Sequence, residues 1–335
     1  MSWLYEPDNG HDLDEDDVRV RPNPKGSRPR TKRRPSFENA PIGMVLEVHL
    51  ARYRVLMDSG VEVLATLAKE LRKDGAVVGD RVAIEGEISS QKDALVRIVR
   101  VEPRVSLLTR SAEDGEGNEQ AIVANADQLV IVVAAADPEP RARLVDRYLV
   151  AAFHAGLNPV LCVTKCDLAD PTGFLEKFTG FDLKIVKTRR DAPALAELAG
   201  LMKDHKTVFV GHSGVGKTTL VNQLAPELSR TTGEVNEVTG KGKHTSSSAR
   251  AIWAHEGWLI DTPGIRTFGL SAISVQGLLE GFRDLHDAAQ ACPRDCSHLA
   301  DAPDCELDQA SQRGEVSHLR LDSFRRLISS LSSVE

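Results

Sequence analysis

The run Gly211-His212-Ser213-Gly214-Val215-Gly216-Lys217-Thr218, continued by Thr219, has the spacing of a loop that cradles phosphates. Its glycines let backbone N–H groups turn inward at a helix N-terminus. Lys217 can reach the terminal phosphates, and the Thr218 hydroxyl can ligate Mg2+. The match is full, and it lies between a short apolar run at 207–210 and a helical pattern reaching 224. A triphosphate is common to ATP and GTP, so this loop alone does not choose the base.

Thr164-Lys165-Cys166-Asp167 makes that choice. A carboxylate at Asp167 accepts from both N1–H and the exocyclic amine of guanine, whereas adenine has no donor at N1; such a mismatch can reach about 10⁴-fold in selectivity. Lys165 is expected to lie along the base and brace the loop. A third element, Asp261-Thr262-Pro263-Gly264, ends the apolar run 258–260. There Asp261 can hold Mg2+ through water while the Gly264 N–H meets the γ-phosphate. Lys217, Thr218, Asp261 and Gly264 are thus the expected catalytic set, and Thr218 and Asp261 the Mg2+ side. Thr245, in Gly240-Lys241-Gly242-Lys243-His244-Thr245, joins them as a second hydroxyl within the polar stretch 230–248, although that stretch also reads as a solvated loop. Ile265 stands where a Ras-like enzyme orients water with glutamine, so the attacking water must be positioned otherwise.

The motif order is inverted: base reader first, phosphate loop second. The elements that must carry them alternate accordingly, with buried strands expected at 129–134, 159–163, 183–187 and 207–210 and helices at 140–154 and 192–202, as in a parallel α/β sheet with circularly permuted connections. Residues 41–101 instead hold five short alternating strands and a turn at Asp58-Ser59-Gly60, the pattern of a small OB-type barrel. Such barrels often bind RNA. Tyr53 is the only aromatic there, which leaves that work to Arg52, Arg54, Lys69, Arg72 and Lys73; a purely structural barrel fits the same pattern.

Near the C-terminus Cys292, Cys296, His298 and Cys305 supply three thiols and an imidazole, a closed tetrahedral zinc set suited to structure rather than hydrolysis. Free or disulfide-bonded cysteines are the alternative. Cys162 and Cys166 share a CxxxC spacing but read as core and loop residues.

The 335 residues support two to three domains, and 41% hydrophobic content is enough for packed cores. The first residues are acidic, without a signal peptide pattern, and no long apolar run follows, so a soluble, cytoplasmic protein away from membranes is expected. Residues 1–40 split into an acidic cluster at 12–17 and a basic, proline-interrupted stretch at 19–34, a charged tail that fits a phosphate-binding arm or a linker; the net charge of −7 does not favour nucleic acid globally. The expected divisions are a disordered tail at 1–40, the barrel at 41–105, the P-loop GTPase domain at 106–272 and an α-helical zinc-binding domain at 273–335.

A small barrel, then TKCD, GHSGVGKT, GKGKHT, DTPG and the Cys-Cys-His-Cys set, in that order, resembles the RsgA or YjeQ family, the ribosome small subunit-dependent GTPases. The likeness runs from about residue 41 to the end. It implies a monomeric GTPase that cycles between GTP and GDP with Mg2+, carries one zinc per chain, binds the 30S subunit late in maturation and is stimulated by it. It also implies contact with 16S rRNA through the barrel and zinc domains. On motif position, residues 211–219 would bind phosphates, Thr164, Lys165 and Asp167 the base, Asp261 and Gly264 the switch, and Ile265 matches the family's hydrophobic residue after DxxG. Two departures stand out: the charged tail, and residues 187–190, where a Ser-Ala pair usually supports guanine. Two other readings remain at this level: an RNA-binding protein that keeps GTP as a structural ligand, and an ATP-dependent enzyme with another target.

Overall fold

Alternation of small apolar and polar residues closes the first strands on themselves. A computed structural model describes residues 37–72, 75–88, 95–111, 119–181, 183–226, 249–262, 268 and 273–332. The charged tail up to residue 36, Lys73, the stretch 230–248 with Thr245, and Gly264 with Ile265 lie outside the described residues.

Strands β1 (Ile42–His49), β2 (Arg52–Met57), β3 (Glu62–Leu67), β4 (Arg81–Glu85) and β5 (Leu95–Val101) form a barrel, closed because β1 pairs with both β2 and β4. Val55, Met57, Val63, Ala65, Val82, Ile84, Val96 and Ile98 fill it, one face of each strand turned inward. Tyr53 is buried among them, so it is a core residue and offers no stacking surface. A bulge in β1 between Val45 and Glu47 bends that strand. Beyond the bulge Glu47 comes into register with Arg250 of β12 (Arg250–Ala254). The barrel is therefore hydrogen-bonded into the parallel sheet.

That sheet runs β10 (Lys184–Lys187), β9 (Asn158–Thr164), β8 (Gln128–Ala134), β11 (Lys206–Gly211), β13 (Gly257–Asp261), β12. All neighbours are parallel except β12, which returns antiparallel to β13. Every residue of β8 is buried, as a central parallel strand covered on both faces requires. A hairpin of β6 (Leu107–Ser111) and β7 (Glu119–Ala124), absent from the sequence expectations, bridges back to Val78 next to β4.

Helices α1 (Ala142–His154), α2 (Thr172–Leu175), α3 (Leu195–Met202) and α4 (Lys217–Leu224) alternate with the strands of this sheet. Then come α5 (Val275–Leu279), α6 (Arg283–Ala289), α7 (Glu306–Gln312) and α8 (His318–Ser332). Phe153 of α1, Phe178, Phe181, Phe282 and Phe324 of α8 meet at centroid distances of 4.9–6.2 Å and share one hydrophobic cluster with the sheet. The C-terminal helices are thus packed onto α1. No described helix is long and apolar enough to cross a membrane.

Candidate functional site

Parallel strands place all their C-terminal loops along one edge, and the expected chemistry gathers there. Register aligns Gly211 with Val132, Thr164 with Ala134, and Asp261 with Phe209, so the loop after β11, the loop after β9 and the Asp261 carboxylate leave the sheet side by side. The order in the chain does not matter to this edge; only the connections are rearranged.

In the phosphate loop a Cβ on Gly211 would lie 2.6 Å from the Val132 carbonyl oxygen, so only glycine lets β11 pass so near β8. Gly216 has φ 89°, which an L side chain resists, and it starts α4 at Lys217. The first N–H groups of that helix have no intrahelical acceptors and carry the positive end of its dipole, which suits anionic oxygens. Val215 is buried and anchors the loop beneath. The Lys217 ammonium meets the Asp261 carboxylate, both largely shielded from solvent. Thr262 donates its hydroxyl to the Phe209 carbonyl at 2.9 Å, fixing the strand end from which Asp261 projects.

Thr164 ties the two motifs together. Its hydroxyl lies 2.6 Å from the Val215 carbonyl and 3.1 Å from that of Val133, so base loop and phosphate loop share one buried residue. Lys165, at φ 56°, donates its ammonium to the Asp137 carbonyl and so braces the loop after β8. One Asp167 oxygen accepts the Arg190 N–H at 3.0 Å. Thr188, buried, donates its N–H to Val163 at 2.8 Å and accepts Cys166 N–H at 3.2 Å. Residues 187–190, where the sequence offered no Ser-Ala pair, therefore orient the base reader through backbone. No sequence signal could have found this, because the contact depends on the path of the chain and not on side-chain type. Asp167, Cys166, Leu168, Lys187 and Arg189 line a cleft of about 430 Å3. Cys162 lies in the core below, its thiol pushed up to about 12 by burial.

On the barrel, Arg52, Lys69 and Arg72 are exposed and Arg54 is half-buried beside Glu47 at 3.3 Å.

The ligand atoms of Cys292, Cys296, His298 and Cys305 all lie within 4.8 Å of one another, with His298 Nδ1 3.6 Å from Cys292 Sγ and 3.9 Å from Cys305 Sγ. Tetrahedral zinc, with bonds of about 2.3 Å to sulfur and 2.0 Å to nitrogen, spaces its ligands by roughly 3.5–3.8 Å, so the two His298 spacings lie close to those of the ion and the set as a whole is compatible with it. Turns at Asp295, His298 and Asp304, all with positive φ, fold the segment around this point. Arg325 of α8 holds it from outside: its guanidinium donates to the carbonyls of His298 at 3.0 Å and Leu299 at 3.2 Å while gripping Asp308 at 2.8 and 2.7 Å. Burial, then the nearby Arg325 charge, lowers the His298 pKa, which favours the neutral imidazole that metal ligation requires. Burial and the neighbouring thiols raise that of Cys305.

Residues 101–271 match the family model described as RsgA GTPase. The chain is 40% identical over 265 residues to the small ribosomal subunit biogenesis GTPase RsgA of Ectopseudomonas mendocina (strain ymp), covering 76% of this chain and 75% of that one. It is 36% identical to small ribosomal subunit biogenesis GTPase RsgA 1 of Vibrio vulnificus (strain YJ016), over 77% and 75%. The crystal structure of YjeQ from Thermotoga maritima superposes with a TM-score of 0.63 at 25% identity, over 88% of this chain and 99% of the other. YloQ, a circularly permuted GTPase, has the same fold at a TM-score of 0.63 and 24% identity, over 90% and 99%.

Proposed function

We propose, from the premise that the chain belongs to the RsgA GTPase family, that it is a late maturation factor of the 30S ribosomal subunit, stimulated by that subunit and released from it by hydrolysis. Its reaction converts GTP and water to GDP and phosphate. The observation that carries the reading is the single sheet edge where Asp167, the loop 211–216 and Asp261 stand together, in a sheet continuous with a barrel. The names of the relatives support the choice of subunit.

The assignments follow from this edge. Thr164, Lys165 and Asp167 take the guanine side, and Gly211, His212, Ser213, Gly214, Val215, Gly216, Lys217, Thr218 and Thr219 the phosphates. Lys217 would exchange Asp261 for the phosphate oxygens, which frees the Asp261 carboxylate to join the Thr218 hydroxyl on the Mg2+ side. Magnesium there would neutralise charge developing on the transferred phosphoryl group. Thr245 and Gly264 complete the set expected to sense the γ-phosphate. Cys292, Cys296, His298 and Cys305 would hold one zinc, which would favour the thiolate form of the three cysteines and lock the segment that Arg325 supports. Protein from 41 to 105 and from 273 to 335 is assigned to 16S rRNA, the nucleotide domain lying between, and the chain is taken to act in the cytoplasm as a monomer.

Ile265 has no group to orient water, so the protein alone should turn over on the order of 10⁻³ per second or less, the scale of unassisted GTPases. Docking that completes the site around the γ-phosphate need supply only about 2.7 kcal/mol to accelerate this about 10²-fold. The test is phosphate release with and without 30S particles, with 50S as control, alongside cosedimentation in GTP and GDP. Acceleration and GTP-dependent pelleting confined to 30S are expected. Equal acceleration by 50S, or none by 30S, removes the small-subunit assignment.

A further inference from the structure

The barrel interior absorbs its one aromatic, Tyr53, yet an aromatic platform exists next door. Where β1 meets β12, a cleft of about 270 Å3 opens between barrel and nucleotide sheet, with Trp253, Trp258, Arg54, Arg250, Glu47 and Leu56 in its wall. Trp253 is 58% exposed, an unusual position for the largest apolar side chain, and it meets Trp258 edge-on at 5.3 Å, which fixes its ring. Glu47 holds Arg54 at 3.3 Å and Arg250 at 3.5 Å, so a single carboxylate positions two guanidinium groups along the rim. From there the outer face of the barrel continues through Arg52, opposite Thr66, which in turn lies opposite Arg97, itself 62% exposed. Arg97 sits 3.6 Å from Glu85, and Glu62 joins Glu47 in the cleft wall, so Arg52, Arg54, Arg97 and Arg250 outnumber the carboxylates beside them by one, a local excess of positive charge in a chain of net charge −7.

We propose that this seam binds single-stranded RNA, one unstacked base lying on the Trp253 indole and the adjoining phosphates following Arg54, Arg52 and Arg97. An indole stacks with any base, whereas arginines follow the backbone; the two together make a strand site rather than a sequence reader. A protein partner would also use tryptophan and arginine, but the run of arginines away from the cleft matches a polyanion with regular charge spacing. The inference rests on the ribosomal reading above and narrows it to one surface.

The probe is fluorescein-labelled hexaadenylate RNA, read by anisotropy, together with tryptophan emission in a Trp3→Phe background so that only Trp253 and Trp258 report. Binding should quench that emission. Trp253→Leu, which keeps an apolar side chain without a ring, should bind on the order of tenfold more weakly with unchanged salt dependence. Trp253→Phe should stay within about threefold, since a ring remains. Arg54→Ala should instead lower the salt slope by about one. GDP affinity checks that each variant is folded. Trp253→Leu binding the hexamer as wild type does overturns the inference, as does AMP competing as well as the strand, which would make the cleft a mononucleotide site. A variant that loses 30S pelleting while wild type ignores the hexamer marks a protein-facing surface and also overturns it. Wild type that fails to pellet with 30S sinks the ribosomal reading instead, whatever the hexamer does.

Discussion

The proposed base reader, the Asp167 carboxylate, is oriented by backbone. Arg190 N–H on one Asp167 oxygen turns the other toward the cleft, and Thr164 keeps that loop in register with Val215 of the phosphate loop. Asp167→Asn preserves an oxygen for Arg190 but replaces an acceptor for guanine by a donor. GTP affinity should fall about 10²-fold, the scale of a hydrogen bond to a charged group, while xanthosine triphosphate, with an oxygen where guanine has its amine, should gain. Competition binding with the two nucleotides measures this. Unchanged GTP affinity takes Asp167 out of the base pocket.

At the scale of elements, the sequence was most readable where spacing is imposed by chemistry. GHSGVGKT, TKCD and the start of DTPG each follow a strand end, and Asp261 is the last residue of β13. The five barrel strands were legible because inward Val, Ile and Ala alternate with Arg, Glu and Thr. What stayed hidden were long-range pairings: the β6 and β7 hairpin, the β1 to β12 register that depends on a bulge, and the backbone support of Asp167 by Arg190. None changes the local pattern of side chains. Burial of Tyr53 was hidden for a related reason, since a strand's inward face is known only once its register is. The thiol cluster was readable by composition, and its support by Arg325 was not, being 20 residues from Cys305 in the sequence. Cys296→Ser should weaken zinc by more than about 100-fold, exceeding the loss from an outer partner. Protease sensitivity between 292 and 305 should rise while GDP affinity stays within about twofold. Metal analysis of wild type grown with ample zinc should give one equivalent per chain, and finding none refutes the zinc assignment.

For the molecule as a whole, the question is how the C-terminal helices are held to the nucleotide domain. Arg326 of α8 grips Asp146 of α1 with Nη2 at 2.9 Å and Nε at 3.1 Å, and its Nη1 donates to the Lys177 carbonyl at 2.5 Å. Its guanidinium also lies 5.1 Å from the Phe178 ring and 5.4 Å from that of Phe181. Asp146 is 1% exposed, and burial raises its pKa despite the attraction of Arg326. Because α1 follows the loop in which Asp137 receives Lys165, this grip joins the C-terminal module to the base-reading edge. Arg326→Ala leaves Asp146 buried without its cation. Full burial of such a pair would make the loss 3–5 kcal/mol, but Arg326 is itself 34% exposed, so about 2–3 kcal/mol is expected at pH 7. Removing the cation raises the folded-state pKa of Asp146 further. A carboxyl with a raised folded pKa favours the fold below its unfolded pKa and loses that contribution as pH rises through the folded one. The deficit of the variant should therefore be full above the raised value and shrink as pH falls through it. Denaturant melts of wild type and Arg326→Ala, at pH 7.5 and at the lowest pH where both stay folded, measure it. A deficit equal at both pH values would mean that Arg326 acts through its ring contacts and the Lys177 carbonyl, and that the charge on Asp146 does not hold the module in place.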